Sequence, residues 1–338
     1  MVQANKLFIL TNFDGTTFNT FEPAPSGIGV HEAYELAIKD LFGDKGFKIY
    51  QIKLKGLQNR EPGQLFDLLT NELGLGIDDV SSRFGSRKKG IMAFVDTKLS
   101  YMLDDISPDW PKPYPGVVDF FKAIEGGKLP VIFGVASSGH REFIKKVYEV
   151  NGLKPPEIMI TSDEINALVE PRRPLYRPHS YQIAVLHSQI LRLLRGDGYF
   201  VAEQKRFLDR GDGVKDHMIF IGDHPEIDAG VAERARIPFG FVPFRQPNFV
   251  PDPEKNQILI SDFSVLRQLI EDHRESIEGG MSASEVFFGV PGSELFPPVA
   301  DSDRPYNVWL QAMREGEPKT SEWTGFPITP IIRKKEIA

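Results

Sequence analysis

Asn12 and Asp14 stand one residue apart in the stretch FILTNFDGTT, followed at once by Gly15 and Thr16. A carboxylate and a carboxamide at the mouth of an apolar run can face a cation and move a proton. Other polar residues sit in comparable places. Ser137 and Ser138 close the apolar run VIFGVA. Gly222 and Asp223 close MIFIG, with Asp228 five residues further on. Arg177 precedes the helical pattern that begins at Pro178, and Arg173 lies close by as a rival cation. Together these residues would make an acidic pocket for a divalent cation, with hydroxyls and one cationic side chain turned to an anion. Hard oxygen donors with one or two carboxylates are what Mg²⁺ uses beside phosphate.

Such a pocket needs elements that bring distant residues to one edge. Leu7 to Thr11 is a short continuous apolar run, as expected of a strand buried on both faces. Val131–Ala136, the run in PEIMITSDE, HMIFIGD and PFGFV repeat the signal, which gives five strands. Helical spacing falls between them, in VVDFFKAI, in HREFIKKVYEVNGL with Gly152 as its stop, in the segment opened by Pro178, and in AGVAERARI. Alternating strands and helices predict an α/β fold, a Rossmann-like parallel sheet covered by helices on both faces. Ligands of such sheets lie at the carboxyl ends of the strands.

Residues 21–104 interrupt this alternation. Val30–Phe42 and Pro62–Leu73 are amphipathic helices, and Phe47–Ile52 could form a strand. We expect a core of residues 1–20 and 105–275 with an inserted α-helical cap at 21–104. Residues 276–338, rich in Pro, Gly, Ser and charge but carrying Phe287, Phe288, Trp309 and Trp323, are expected to form an irregular C-terminal extension packed on the core or on a second subunit.

The 338 residues carry 41% hydrophobic and 26% charged side chains, close to globular averages, so a packed core is expected. The net charge of −7 gives no reason to expect a nucleic-acid partner. The absence of cysteine excludes disulfides and thiolate chemistry. No apolar run suggests a membrane span, and the cytoplasm is the default location.

Four segments taken in order resemble the motifs of the haloacid dehalogenase (HAD) superfamily, in its phosphatase-like branch with an inserted helical cap. They are NFDGTT, VIFGVASSG, YRPHSY and FIGDHPEID, with PYPGV ahead of the second. The resemblance spans residues 5 to about 270. It implies an Mg²⁺-dependent phosphomonoester hydrolase working through an aspartyl-phosphate on a small phosphorylated metabolite, such as a sugar phosphate or a phosphoglycolate-like acid. It makes Asp14 the general acid/base, gives phosphate binding to Gly15, Ser137, Ser138 and Arg177, and gives the metal to Asn12, Asp14, Asp223 and Asp228. A haloacid dehalogenase and a phosphomutase are the alternatives within the enzyme class.

Two motifs depart from the pattern. Asn12 occupies the position of the nucleophilic aspartate, and its neutral amide cannot attack phosphorus. Arg177 stands where lysine is usual, and the chain between Arg177 and Asp223 holds an insertion around RGDGYFVAEQKRFLDRGDG. The chain is therefore expected to bind substrate without turning it over. Two explanations compete: a deliberate Asp→Asn exchange in an active enzyme, and a natural non-catalytic binding or scaffold protein. The first is preferred, because a lineage freed from catalysis has less reason to keep Asp14.

Bland readings exist for each residue. Asp14-Gly15 could be a turn pair, Ser137 and Ser138 a helix cap, and Asp223-His224 another. They fail jointly, since unrelated caps need not bring two acids, two hydroxyls and a cation to one sheet edge. His140 and Arg141 more often open a helix than touch a ligand. His224 has no zinc-ligand spacing to another histidine. Substrate choice is assigned to the cap, at Lys55, Gln58, Asn59 and Arg60, or at the basic cluster SRKKG around Arg87.

Overall fold

The computed structural model describes residues 6–55, 62–137, 139–156, 158–161 and 214–295. Among these residues eight strands form two sheets: β1 (Leu7–Thr11), β2 (Phe18–Asn19), β3 (Lys112–Pro113), β4 (Val131–Ala136), β5 (Ile158–Ile160), β6 (Met218–Gly222), β7 (Phe239–Phe241) and β8 (Gln257–Leu259). The main sheet is six-stranded in the order β5-β4-β1-β6-β7-β8, and every pairing in it is parallel. β1 and β6 are buried along their whole length, which is why both read as unbroken apolar runs. Counted along the chain, this is the doubly wound order 3-2-1-4-5-6. Its order reverses between β1 and β6, so a crevice opens where Asn12 and Asp223 leave their strands.

β8 is a sixth strand beyond the five expected. Its three residues follow the proline-rich stretch VPDPEKN, too short a run to show alternation. β2 and β3 pair antiparallel, Phe18 with Pro113 and Asn19 with Lys112. They tie together the two connections through which residues 21–104 leave and re-enter the core.

Those residues form α1 (Val30–Ile49), α2 (Pro62–Glu72), α3 (Ile77–Phe84) and α4 (Arg87–Leu103). Gly43, at φ 69°, breaks α1 into two helical pieces. The strand expected at Phe47–Ile52 is helical instead. The chain there continues from α1 into a π-helical turn, Tyr50–Leu54. Tyr50 and Leu54 are buried while Ile52 between them is 71% exposed. That is a helical period, since a strand would set all three on one face. Around them Tyr34, Ile38, Phe42, Leu65, Phe66, Leu69 and Phe94 build a core separate from that of the sheet.

On the sheet pack α5 (Val117–Glu125), α6 (Arg141–Val150), α7 (Ile227–Ala235) and α8 (Phe263–Asp272). The irregular extension expected after residue 275 is helical as far as it is described, in short turns at Arg274–Glu278, Ala283–Phe288 and Gly292–Leu295. Ala283, Val286 and Phe287 are buried in the sheet's core cluster. Ser282 starts the second turn, accepting from the Glu285 N–H at 3.2 Å, while the Glu285 carboxylate accepts the Ser282 N–H at 2.8 Å. The expected helix after Pro178 and the insertion around residues 195–213 lie outside the described residues. Among the described residues no helix is long and apolar enough to cross a membrane.

Candidate active site

Three neighbouring strands deliver the predicted side chains to one place. Asn12 and Asp14 follow β1, Ser137 follows β4, and Asp223 follows β6. Asp14 is held by two hydroxyls: Thr20 Oγ1 donates to its Oδ1 at 2.8 Å, and Ser137 Oγ donates to its Oδ2 at 3.1 Å. Ser137 Oγ also accepts the Gly139 N–H at 3.0 Å, so the β4–α6 turn fixes it. Thr16 Oγ1 donates to Asp223 Oδ1 at 2.9 Å. Asp223 is 1% exposed.

The amide of Asn12 has a determined orientation. Its Oδ1 accepts the backbone N–H of Phe13 at 2.8 Å. Its Nδ2 therefore points the other way, toward the Asp14 carbonyl oxygen at 3.3 Å and Asp223 Oδ1 at 3.4 Å.

Asp228 is near the site but works on the backbone. Its Oδ2 accepts the N–H groups of Asp223 and His224, both at 3.1 Å, which fastens the β6–α7 turn. A Cβ on Gly222 would sit 2.3 Å from that oxygen, so glycine is required there. His224 Nδ1 accepts from the N–H groups of Glu226 and Ile227. Gly15, expected to bind phosphate, spends its N–H on the Phe18 carbonyl at 2.9 Å. Its importance is spatial: φ is +75°, and an added Cβ would lie 2.5 Å from Asp223 Oδ2 and 2.6 Å from Arg245 Cδ. Ser138, Arg173 and Arg177 lie outside the described residues.

Arg245, which the sequence reading missed, brings a guanidinium to this site. Its Nη1 donates to Asp223 Oδ2 at 3.1 Å. Its guanidinium lies over the Phe21 ring, 3.6 Å from the centroid. The preceding residue, Phe244, stacks on Tyr114 with centroids 4.0 Å apart. This pins the segment that leaves β7. A signal was available, because PFGFVPFR runs from the fifth expected strand into Arg245, and polar residues at strand ends were the criterion.

Burial sets the electrostatics. Desolvation raises the Asp223 carboxyl above the ordinary range, and Arg245 and then Thr16 pull against it without reversing the direction. Burial, with the Asp223 charge adding to it, pushes the Tyr114 phenol up to about 12.

The cavity over these groups has a volume of about 90 Å³. The cap closes it with His31, Tyr34 and Lys98. Lys98 is 4% exposed and its Nζ lies 4.0 Å from the Tyr34 centroid. It interrupts an apolar stripe of α4, Ile91-Phe94-Met102, and a lysine in such a stripe is a legible sign. Burial lowers the pKa of His31, as do the charges of Lys98 and Arg245, against Glu32 and Glu35. Of the cap residues expected to read substrate, Lys55 and Arg87 are not in the cavity wall. Lys55 pairs with Glu35 at 3.0 Å, and Arg87 grips Asp67 through two bonds of 2.7 and 2.6 Å. Gln58, Asn59 and Arg60 lie outside the described residues. His140 lines the cavity, whereas Arg141 donates to the Met159 carbonyl at 2.9 Å.

No protein-family model matches the chain, and no curated protein matches it. Solved structures similar to it include a hydrolase from Pseudomonas syringae, 12% identical with a TM-score of 0.42, covering 82% of this chain and all of that one. A HAD-superfamily hydrolase from Geobacter sulfurreducens is 15% identical with a TM-score of 0.38, over 79% of this chain and 97% of its own. A defluorinating L-2-haloacid dehalogenase is 14% identical with a TM-score of 0.38, over 78% and 95%. The Geobacter sulfurreducens protein belongs to the superfamily whose motifs the sequence resembles.

Mg²⁺ needs oxygen lone pairs converging on one point. Here Asp223 Oδ1 accepts from Thr16 and Asn12, and its Oδ2 faces the Arg245 cation. Asn12 turns N–H groups, not its carbonyl, toward the Asp14 carbonyl and Asp223. Among the described residues, no group of three or more acidic or histidine side chains could hold a metal ion. The residues as arranged do not fit a divalent cation.

Proposed function

We propose that the cavity is the ligand site of a phosphatase-type protein and takes a small phosphorylated metabolite, a sugar phosphate or a phosphoglycolate-like acid. The observation that supports this is the meeting of Asp14, Ser137 and Asp223 at the switch point, with Ser137 Oγ 3.1 Å from Asp14 Oδ2. Arg245 can share its guanidinium donors with phosphate oxygens while it stays paired to Asp223. Asp14, steadied by Thr20 and Ser137, is the group to protonate a leaving oxygen. Lys98 and His31 face the organic part of the ligand from the cap.

Asn12 stands at the nucleophile's position. Its oxygen is uncharged and engaged by the Phe13 N–H, so no acyl phosphate forms there. In this reading the chain as written holds the ester without cleaving it. Wild-type protein and Asn12→Asp are to be compared on a panel of phosphate esters, with and without Mg²⁺. Binding of at least one ester by wild type, with phosphate release only by the variant, supports an inactivated phosphatase. Binding by both with release by neither supports a pure binding module, a second reading favoured by the Arg245–Asp223 ion pair. If a folded wild type binds none of the esters, the reading is wrong.

A further inference from the structure

We infer that Arg245 and the amide of Asn12 replace a divalent cation, so that this pocket receives a phosphate group without any metal. The first support is positional. The Asn12 Nδ2 donors lie between the Asp14 carbonyl and Asp223 Oδ1 and donate to both, where a cation would be drawn by the same two oxygens. The second is the ion pair. Arg245 reaches the sealed carboxylate of Asp223 at 3.1 Å and is held there by the Phe21 ring. Gly15 leaves the room for it, since a Cβ at that position would meet both partners.

Charge supplies the third support. Carboxylates gathered at a sheet edge repel one another unless a cation offsets them. An aspartate plus a divalent ion carries one net positive charge, and so does an asparagine plus a guanidinium. Exchanging the first pair for the second leaves the net charge of the site unchanged. An exchange at residue 12 alone would not bring a guanidinium to Asp223. The two features therefore read as one native adaptation, against the sequence-based preference for a deliberate exchange.

The part of this inference that concerns the ligand rests on the phosphate-binding reading above; the part that concerns the metal does not. The test uses the full chain. In a Mn²⁺ titration followed by electron paramagnetic resonance, the free-ion signal is expected to remain undiminished. Inorganic phosphate, titrated calorimetrically, is expected to bind equally well in EDTA and in Mg²⁺. Arg245→Ala is expected to weaken that binding by about tenfold or more, as for loss of a charge-assisted contact. Uptake of one Mn²⁺ by wild type, or phosphate binding only when Mg²⁺ is present, overturns the inference. If phosphate binds under no condition, the proposed ligand class fails, and the Mn²⁺ titration alone decides the claim about the metal.

Discussion

Asp223 illustrates how a single residue can serve a site at the expense of the fold. Burial raises its pKa in spite of Arg245 and Thr16, so the native state takes up a proton more readily than the unfolded chain. The stability this residue contributes is therefore fully present below the unfolded value of 3.8 and is lost as pH rises through the folded one. Asp223→Asn should accordingly melt at a higher temperature than wild type at neutral pH. The difference should fade as pH is lowered through the carboxylate range, in melts followed by circular dichroism. The remaining Arg245 is 39% exposed and can reach water. Gly15 marks the opposite case, where space rather than charge matters. Gly15→Ala places a side chain at φ +75° and into Asp223 and Arg245. It should cost about 1–3 kcal/mol in urea unfolding and abolish phosphate binding.

At the scale of elements, helices with one apolar face and fully buried strands were legible, and short or two-sided elements were not. Phe47–Leu54 mixes apolar residues closely enough to suggest a strand, and only the exposure of Ile52 against buried Tyr50 and Leu54 reveals the helical period. β8 and the β2–β3 pair are too brief to carry a pattern, and they exist because a neighbouring strand offers its edge. The turn Ala283–Phe288 has an identifiable start in Ser282 and Glu285. Ser282→Ala should destabilise the chain by about 1 kcal/mol in urea unfolding. The Ser282 hydroxyl and N–H lower the Glu285 pKa below 4.5, so this contribution is present above that value and lost as pH falls through the folded one. The gap between wild type and variant should close accordingly in acid.

For the whole molecule, the informative fact is that the cavity has walls from two separate cores. The sheet supplies Asn12, Asp14, Asp223 and Arg245, and the helical insertion supplies His31, Tyr34 and Lys98. Lys98 is buried and lines the cavity from the insertion's side. Lys98→Met keeps the stem and removes the charge. It should weaken binding of a phosphorylated ligand by about tenfold in calorimetry.

Local chemistry is what the sequence determined by itself. Continuous apolar runs become buried parallel strands, and polar residues at their ends meet at one edge, because a parallel sheet aligns all its carboxyl ends. Asn12, Asp14, Ser137 and Asp223 follow from that rule. Tertiary structure alone decided which groups face them. Arg245 lies 22 residues beyond Asp223, and Thr16 donates to Asp223 across 207 residues. Lys98 comes from another core altogether. No periodicity encodes such pairings, since they depend on strand order and on how the inserted helices seat over the sheet. A cation was foreseeable from the carboxylates, but whether it is a bound ion or a guanidinium depends on what the fold places within reach.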